Sequence, residues 1–239
     1  MPTLGTPPAS LVTTRVALHR FATYVVAPAR HQVTGRFGLR ATPGGFGTPV
    51  FGDGIRVRVD GPDLVVDEGE SSRRTPITSM NAAAEFIGSK VDLETAAEHD
   101  SPPAGDLDED LGIDAEAVAY LASWWQLASE ALEIVRTDAE SVDPSEVQLW
   151  PGHFDPSIEI GDEDHRASYG GSPGDGGSDE PYAYVSVWWP DRIGDAVTDT
   201  FWSAEGYTGA VLPRSEIDAG DDPVATVVEF FRRARALLS

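Results

Sequence analysis

One long amphipathic helix constrains the fold of this 239-residue chain more than any other segment. Asp114 is suited to cap its start, and the helix is predicted to run to about Arg136. Its apolar residues recur at intervals of three and four, which places them on one core-facing side: Val118, Leu121, Trp125, Ala128, Leu132 and Val135. A last helix is predicted from Asp222 as cap and Pro223 at the first helical position. Both helices need other structure against which to bury their apolar sides.

Short runs with strand character lie around these helices. Residues 55–60, IRVRVD, alternate apolar and charged side chains, and the turn at 61–63 joins them to the strand LVVD in a hairpin. Another strand is predicted over Val33–Ala41. Further strands are predicted after the long helix, at roughly 146–150, 157–160, 166–170, 182–189 and 199–212. Runs of strands flanked by helices predict an α+β fold with a mainly antiparallel sheet.

The first half of the chain contains two more predicted helices. One covers residues 10–27 and is expected to stop at Pro28, and the other runs from Ser79 to Ile87 and ends at Gly88. Residues 92–113 are acidic and contain Pro-Pro and glycine, which is typical of a surface loop. We therefore predict a single domain over residues 1–239, with two α+β halves, about 10–91 and 114–239, joined by this acidic loop.

The two halves share an order of elements. Each has a helix, then strands, then a helix, and in each a Thr/Ser-Pro-Gly loop precedes an alternating strand. These loops are Thr42–Gly44 in the first half and Ser172–Gly174 in the second. The shared order favours an internal pseudo-duplication.

The charge of the chain limits its partners. It has 40 acidic and 17 basic residues, a net charge of −23. Such a surface repels nucleic acid and anionic membranes, so we expect neither as a partner. No apolar run approaches the roughly 18 residues needed to span a bilayer. The start, MPTLGTPPASLVTT, does not read as a signal peptide, which favours a cytoplasmic protein.

Two explanations of the acidity stay open. A carboxylate-rich surface is typical of adaptation to high salt, where ions screen the self-repulsion. A GC-rich genome is the alternative, because it favours arginine over lysine, and Lys90 is the only lysine. The chain has no cysteine, which excludes disulfides, thiolate metal sites and cysteine nucleophiles.

The candidate site lies in residues 148–189. His153 and Asp155 are two positions apart, and on an extended strand they would share a face. A histidine and a carboxylate on one face are typical of a half metal site or of a general base with its orienting acid. A hairpin at GDED would bring His165 close, which leaves a divalent metal open as a cofactor. The alternative is a loop in which Asp155 hydrogen-bonds the backbone before Pro156.

An aromatic strand follows a glycine-rich loop in the same stretch. In YAYVSVWW, one face carries Tyr182, Tyr184 and Trp188, which are suited either to line a ligand pocket or to pack under a helix. The loop 171–181 lacks the Gly-Lys-Ser/Thr ending of a phosphate loop and the acidic spacing of an EF-hand. It is interpreted as a solvated hairpin loop or as a lid over a cleft.

Two arginines are further ligand candidates. Arg36 and Arg40 have the same strand parity and are suited to bind a carboxylate ligand, although pairing with the surplus carboxylates is the alternative. His19, beside Arg15 and Arg20 on the first helix, is interpreted as a surface residue.

Several segments resemble a mainly actinobacterial family, domain of unknown function 5996. They are LHRFATYVVAPAR, GRFGLRATPGGFGTPVF, VQLWPGHFD, YGGSPGDGGSDEPYAYVSVWW and GYTGAVLP, and together they cover most of the chain outside residues 92–113. The resemblance implies one full-length unit. It implies no activity, substrate or cofactor.

Three classes of function remain open. The first is a small-molecule or protein-binding domain, indicated by the aromatic face without a convincing catalytic set. The second is a hydrolase or isomerase that uses His153 and Asp155, with or without a metal. The third is an interaction protein whose acidic surface meets a basic partner. The sequence does not determine the oligomeric state.

Overall fold

A computed structural model of the protein describes residues 4–97, 101–194 and 198–239. The chain divides into two compact units. The N-terminal unit contains residues 4–126 and 149–155, and the C-terminal unit contains residues 127–148 and 156–239. The division falls inside the long helix rather than at the acidic loop 92–113. The described residues of that loop belong to the N-terminal unit, and residues 98–100 lie outside the described ranges. The single domain over all 239 residues stays a prediction.

The first sheet has five antiparallel strands in the order β1-β2-β3-β4-β5. They are β1 (Arg40–Thr42), β2 (Gly45–Gly47), β3 (Ile55–Asp60), β4 (Asp63–Glu68) and β5 (Ser71–Pro76). The predicted hairpin is confirmed, with Val57 of β3 and Val66 of β4 paired and buried on the core side. The strand predicted over 33–41 is wrong, because only β1 at its end is extended.

Five α-helices occur in the same part of the chain. They are α1 (Leu11–Phe21), α2 (Ala27–Thr34), α3 (Met80–Ile87), α4 (Leu93–Ala97) and α5 (Ala115–Thr137), and a π-helical turn at Ala22–Val26 joins α1 to α2. No helix in the described ranges is long and apolar enough to cross a membrane.

Pro28 does not stop the first helix as predicted. It lies in the first turn of α2, directly after the π-helical turn, and the wider π-helical turn accommodates a residue that has no N–H to donate. The chain leaves α2 only at Gly35, which has a left-handed φ of 67° and donates its N–H to the carbonyl of His31 at 2.8 Å.

The other predicted helices are confirmed. Asp114 accepts a hydrogen bond from the N–H of Ala117 at 2.9 Å at the start of α5, and Ser79 caps α3. The predicted apolar stripe of α5 is buried: Val118, Leu121, Trp125, Ala128, Leu132 and Val135.

The second sheet also has five strands, in the order β10-β9-β8-β7-β6. They are β6 (Gln148–Trp150), β7 (Asp155–Ile160), β8 (Ala167–Ser172), β9 (Tyr182–Val187) and β10 (Gly209–Pro213). Of the strand predicted over 199–212, only the end is extended. A 3-10 turn (Pro190–Arg192), α6 (Arg214–Asp218) and α7 (Pro223–Leu237) complete the chain.

Helix α7 forms as the sequence predicts. Asp222 accepts hydrogen bonds from the N–H groups of Val224 at 3.0 Å and Ala225 at 3.3 Å. Phe231 on its apolar side meets Tyr169 of β8 edge-on, with 5.8 Å between ring centroids.

The fold class is therefore α+β, and two similar antiparallel sheets fit the predicted pseudo-duplication. The Pro-Gly loops do not occupy equivalent places, however. Thr42–Gly44 lies at the turn between the first two strands of its sheet, and Ser172–Gly174 follows the third strand of the other.

Candidate functional site

Strand β9 carries a tyrosine-bearing face. Side chains alternate along a strand, so one set faces the core and the other faces away. The core-facing set is buried: Ala183, Val185 and Val187. The opposite set is half-buried: Tyr182, Tyr184 and Ser186. The predicted division of this strand into two faces is therefore confirmed for residues 182–187, whereas Trp189, which the alternation places on the core face, is exposed.

Two glycines hold tyrosine rings against the backbone of this sheet. Gly170 of β8 is the direct partner of Tyr184, and a Cβ atom at residue 170 would collide with the Tyr184 ring. A Cβ atom at Gly209 of β10 would likewise collide with the ring of Tyr207. The absence of a side chain at both positions allows the ring of Tyr184 to lie on β8 and the ring of Tyr207 to lie on the first residue of β10.

The loop between β8 and β9 is tied to the same face by Asp175. One oxygen of this carboxylate accepts hydrogen bonds from the backbone N–H groups of Gly177 at 2.7 Å and Ser178 at 3.0 Å. The other oxygen accepts a hydrogen bond from the hydroxyl of Tyr182. The exposed tip of the loop is thus a compact turn whose central carboxylate is fixed beside an aromatic ring.

Tyr207 also interacts electrostatically with Asp175. Burial raises the pKa of Tyr207, and the charge of Asp175 raises it further. Burial also raises the pKa of Tyr182, as does its hydrogen bond to Asp175. Both phenols therefore keep their protons at neutral pH. We call Tyr182, Tyr184, Tyr207 and Asp175 the tyrosine cluster.

Trp188 extends this aromatic surface beyond the end of β9. Its side chain is 41% exposed, and its indole N–H donates to the hydroxyl of Ser168 at 2.8 Å. The guanidinium of Arg166 lies 5.6 Å from the ring centroid, within cation–π range. Arg166 is itself paired with Asp143 and Glu159. The indole is therefore held in one orientation.

The segment PGHF, residues 151–154, is a turn in the N-terminal unit. Phe154 has a left-handed φ of 58°, which is strained for a bulky residue. Its ring is buried against Phe46 and Trp125, at centroid distances of 5.1 and 4.8 Å. His19 of α1 stacks on the other side at 5.2 Å with an interplanar angle of 3°. This aromatic packing holds the strained turn in place.

His19 is not the surface residue that the sequence predicts. Its Nε2 lies 3.0 Å from the carbonyl oxygen of Gly152, and burial lowers the pKa of its imidazole. The neutral ring therefore donates from Nε2 to that carbonyl. The hydroxyl of Thr23, in the π-helical turn, lies 3.0 Å from the carbonyl oxygen of Pro151. Both contacts fasten the turn to the first helix.

His153 and Asp155 have different environments. The left-handed Phe154 between them means that they do not lie on one extended strand, so the alternation that placed them on one face does not hold. His153 is exposed, whereas Asp155 is only 2% exposed. Their roles as general base and orienting acid, or as metal ligands, stay a prediction.

His165 lies in the turn between β7 and β8. Its Nδ1 is 3.0 Å from a carboxylate oxygen of Asp162, and its side chain is 43% exposed. Within residues 4–97, 101–194 and 198–239, no group of three His, Asp or Glu side chains is arranged to hold a metal ion. The partner of His165 is therefore Asp162 in the same turn.

The arginine candidates lie in the N-terminal unit. Arg36 is exposed in the segment after α2, and Arg40 is exposed at the start of β1, so they do not share a strand. Two other arginines, Arg56 and Arg58 of β3, both bind Asp67.

Sequence reasoning missed Tyr207 and the role of Asp175. Tyr207 falls within the strand predicted over 199–212 but precedes β10, so no strand alternation assigns it a face. Its one signal is the glycine two positions later that its ring covers. Asp175 lies in the glycine-rich loop 171–181, in which no binding residue is predicted from the sequence. An aspartate followed by Gly-Gly-Ser is typical of a side-chain-capped turn, and that pattern could have indicated a fixed carboxylate.

Comparison of the chain with protein-family models, with curated proteins and with solved structures finds no match. The resemblance to the actinobacterial family thus stays a prediction.

Proposed function

We propose that this protein is a binding module for a small organic molecule and that the tyrosine cluster, with Trp188 beside it, forms the binding surface. The observation that carries the proposal is the hydrogen bond from Tyr182 to Asp175, which joins a fixed carboxylate to an aromatic surface. Apolar rings with a few well-placed polar groups are typical of small-molecule sites.

The rigidity of these groups supports binding. Gly170 and Gly209 give the rings of Tyr184 and Tyr207 their places, and Ser168 orients Trp188. A site whose side chains are already ordered loses less conformational entropy when a ligand binds. The exposed parts of Tyr207 and Trp188, 43% and 41%, provide surface for a ligand to contact.

The carboxylate of the cluster, Asp175, already accepts hydrogen bonds from two backbone N–H groups and from Tyr182. The phenols of Tyr182 and Tyr207 have raised pKa values, and a protonated phenol is a donor rather than a base at neutral pH. The cluster therefore supports binding in preference to hydrolysis or isomerisation.

The test is a ligand screen on the full chain. A library of small organic cations, neutral polyols and carboxylates would be screened by saturation-transfer difference NMR, and the hits would be re-tested on Tyr207→Ala. This exposed ring contributes little to the core, so we expect the variant to fold and to lose most of the signal. Val142→Ala, an exposed apolar truncation whose carbonyl binds Gly161 after β7, is the matched control.

The proposal is wrong if Tyr207→Ala and the parent chain give the same signals with every hit. Signals that disappear with His153→Ala but persist in Tyr207→Ala would move the site to the PGHF turn and favour the catalytic alternative.

A further inference from the structure

We propose that the ligand of the tyrosine cluster is a small organic cation, of the alkylammonium or quaternary ammonium class. This inference rests on the proposed function and names the chemistry of its ligand. It depends on three features of the cluster: the arrangement of its rings, the place of its carboxylate and the charge around it.

The rings of Tyr182 and Tyr184 pack against each other edge to face, and both are half-exposed. Their centroids are 6.3 Å apart, and their planes differ by 60°. The face of a neutral aromatic ring carries partial negative charge, and a cation within about 6 Å of a ring centroid is attracted to it. A positive nitrogen with methyl or methylene carbons that lies against the exposed parts of these rings is attracted to them. A carboxylate or a phosphate would meet the same negative faces and be repelled.

Asp175 adds a full negative charge to this aromatic corner. Backbone N–H groups hold one of its oxygens, and the Tyr182 hydroxyl holds the other. The charge acts on two phenols, because it contributes to the raised pKa of Tyr182 and of Tyr207. A carboxylate fixed beside aromatic faces is the arrangement expected for a bound ammonium group.

The surroundings of the cluster are also acidic. Asp179 and Glu180 follow Asp175 in the same exposed loop. Arg214 lies at the end of β10, and its guanidinium is paired with Glu180 at 3.3 Å and with Asp218 at 2.7 Å. The carboxylates therefore outnumber this arginine. With a net charge of −23, the whole chain attracts cations and repels anions over a longer range.

The experiment compares two probes that differ only in charge. Choline chloride and its neutral isostere 3,3-dimethylbutan-1-ol would be titrated into the full chain, with tyrosine ring signals followed by NMR and with sodium benzoate as the anionic probe. We expect choline to bind saturably at the tyrosine cluster and to bind about tenfold more tightly than the neutral isostere, as cation–π attraction beside a carboxylate implies. Benzoate should leave the signals unchanged.

Charge at residue 175 is tested by Asp175→Asn. The amide keeps an oxygen for the backbone N–H groups of the turn but removes the charge, so the choline Kd should rise about tenfold. Glu163→Gln removes one exposed carboxylate from the turn between β7 and β8, and should change the Kd less than about twofold. If Asp175→Asn fails to fold, the choline titration is repeated with Tyr207→Ala, in which the Kd should also rise about tenfold.

The outcomes separate the two proposals. Equal binding of choline and its neutral isostere, or binding of benzoate at the same rings, overturns the cation inference and leaves the binding function standing. Failure of both the library and choline to perturb any ring of the tyrosine cluster overturns both. A peptide with one trimethyllysine distinguishes a free cation from a protein side chain. Binding of that peptide at least about tenfold tighter than choline would overturn the assignment to a free small molecule.

Discussion

The two sheets have the same antiparallel order, but their polar faces differ in what the side chains contact. In the first sheet, Asp67 binds Arg56 and Arg58, and Arg74 binds Asp60 and Asp63, so the charges satisfy one another. In the second sheet, the ion pairs of Arg166 lie at β7, and the neighbouring part of the face, at β9, carries tyrosine rings beside Asp175. One architecture thus supports an internally neutralised face and a face suited to contact another molecule.

Asp67 is the centre of the first arrangement. Partial burial acts to raise the pKa of its carboxyl, but hydrogen bonds from Arg58, Arg56 and Ser72 outweigh burial and lower the pKa to about 2. An ion pair of this kind contributes to stability rather than to recognition. The following four predictions test this difference between the sheets, from the largest expected effect to the smallest.

Gly170→Val tests whether the second sheet depends on a ring packed against its backbone. The valine side chain would displace the ring of Tyr184, and overpacking of this kind costs about 2–3 kcal/mol. Urea denaturation measures the loss. Gly176→Ala, in the open tip of the loop, has no atoms within 4 Å of its Cβ and should change stability little. Equal stability of the two variants would mean that the Tyr184 ring is not fixed on β8.

Asp67→Asn tests the first sheet. Loss of the charged partner of two arginines should lower the free energy of unfolding by about 2 kcal/mol at pH 7. The folded pKa, about 2, is below the ordinary value of 3.8. The contribution of Asp67 is therefore complete above pH 3.8 and is lost as the pH falls towards 2. The difference in the free energy of unfolding between variant and parent should narrow over that range. Asp53→Asn, which removes an exposed carboxylate, is the control and should change stability little at pH 7.

The pH dependence near neutrality should come from the N-terminal unit. Burial lowers the pKa of His19 below 6.5, so the unfolded chain takes up a proton before the folded chain does. Stability should therefore fall as the pH drops below 6.5, by less than the Asp67 effect. In His19→Gln, the Tm measured by thermal melts should depend less on pH between pH 7 and pH 5 than it does in the parent chain. An unchanged dependence of Tm on pH in His19→Gln would contradict the assignment.

Salt should separate the general repulsion from the specific ion pairs. Screening by molar KCl should stabilise the whole chain by less than about 1 kcal/mol, or roughly 2–4 °C in Tm, because it relieves repulsion among surplus carboxylates. The loss in free energy of unfolding caused by Asp67→Asn should be smaller in molar KCl, because salt also screens the ion pairs of Asp67. A Tm that stays flat or falls with KCl would favour genome bias over salt adaptation as the origin of the acidity.

The regular parts of the fold were predictable because they carry strong local signals. Asp114 and Asp222 cap helices with apolar stripes, and IRVRVD alternates between core and solvent. The polar strand β5, SSRRTP, does not alternate between apolar and polar residues, because almost none of it is buried. Its side chains instead pair across strands, as Arg74 does with Asp63. Helix α2 could not be predicted either, since a π-helical turn before Pro28 lets the helical course continue.

The candidate site was predictable only in part. The alternation of β9 identified Tyr182 and Tyr184, because strand periodicity is a local property. Tyr207 and Asp175 reach the same face from loops, and loop geometry depends on hydrogen bonds that sequence spacing does not encode. The pairing of His153 with Asp155 assumed an extended backbone, which the left-handed Phe154 excludes.

The PGHF turn has a consequence for the kinetics of folding. Its contacts to His19 and Thr23 join residues 133 and 128 positions apart in the chain. Contacts of such long sequence separation carry a large loop-closure cost, and the left-handed Phe154 gives the turn no local preference to offset it. We therefore expect this turn to form after the transition state. Substitutions such as Thr23→Ala should then accelerate unfolding while leaving the refolding rate nearly unchanged. The contacts of residues 151–154 would thus set how long the N-terminal unit stays folded.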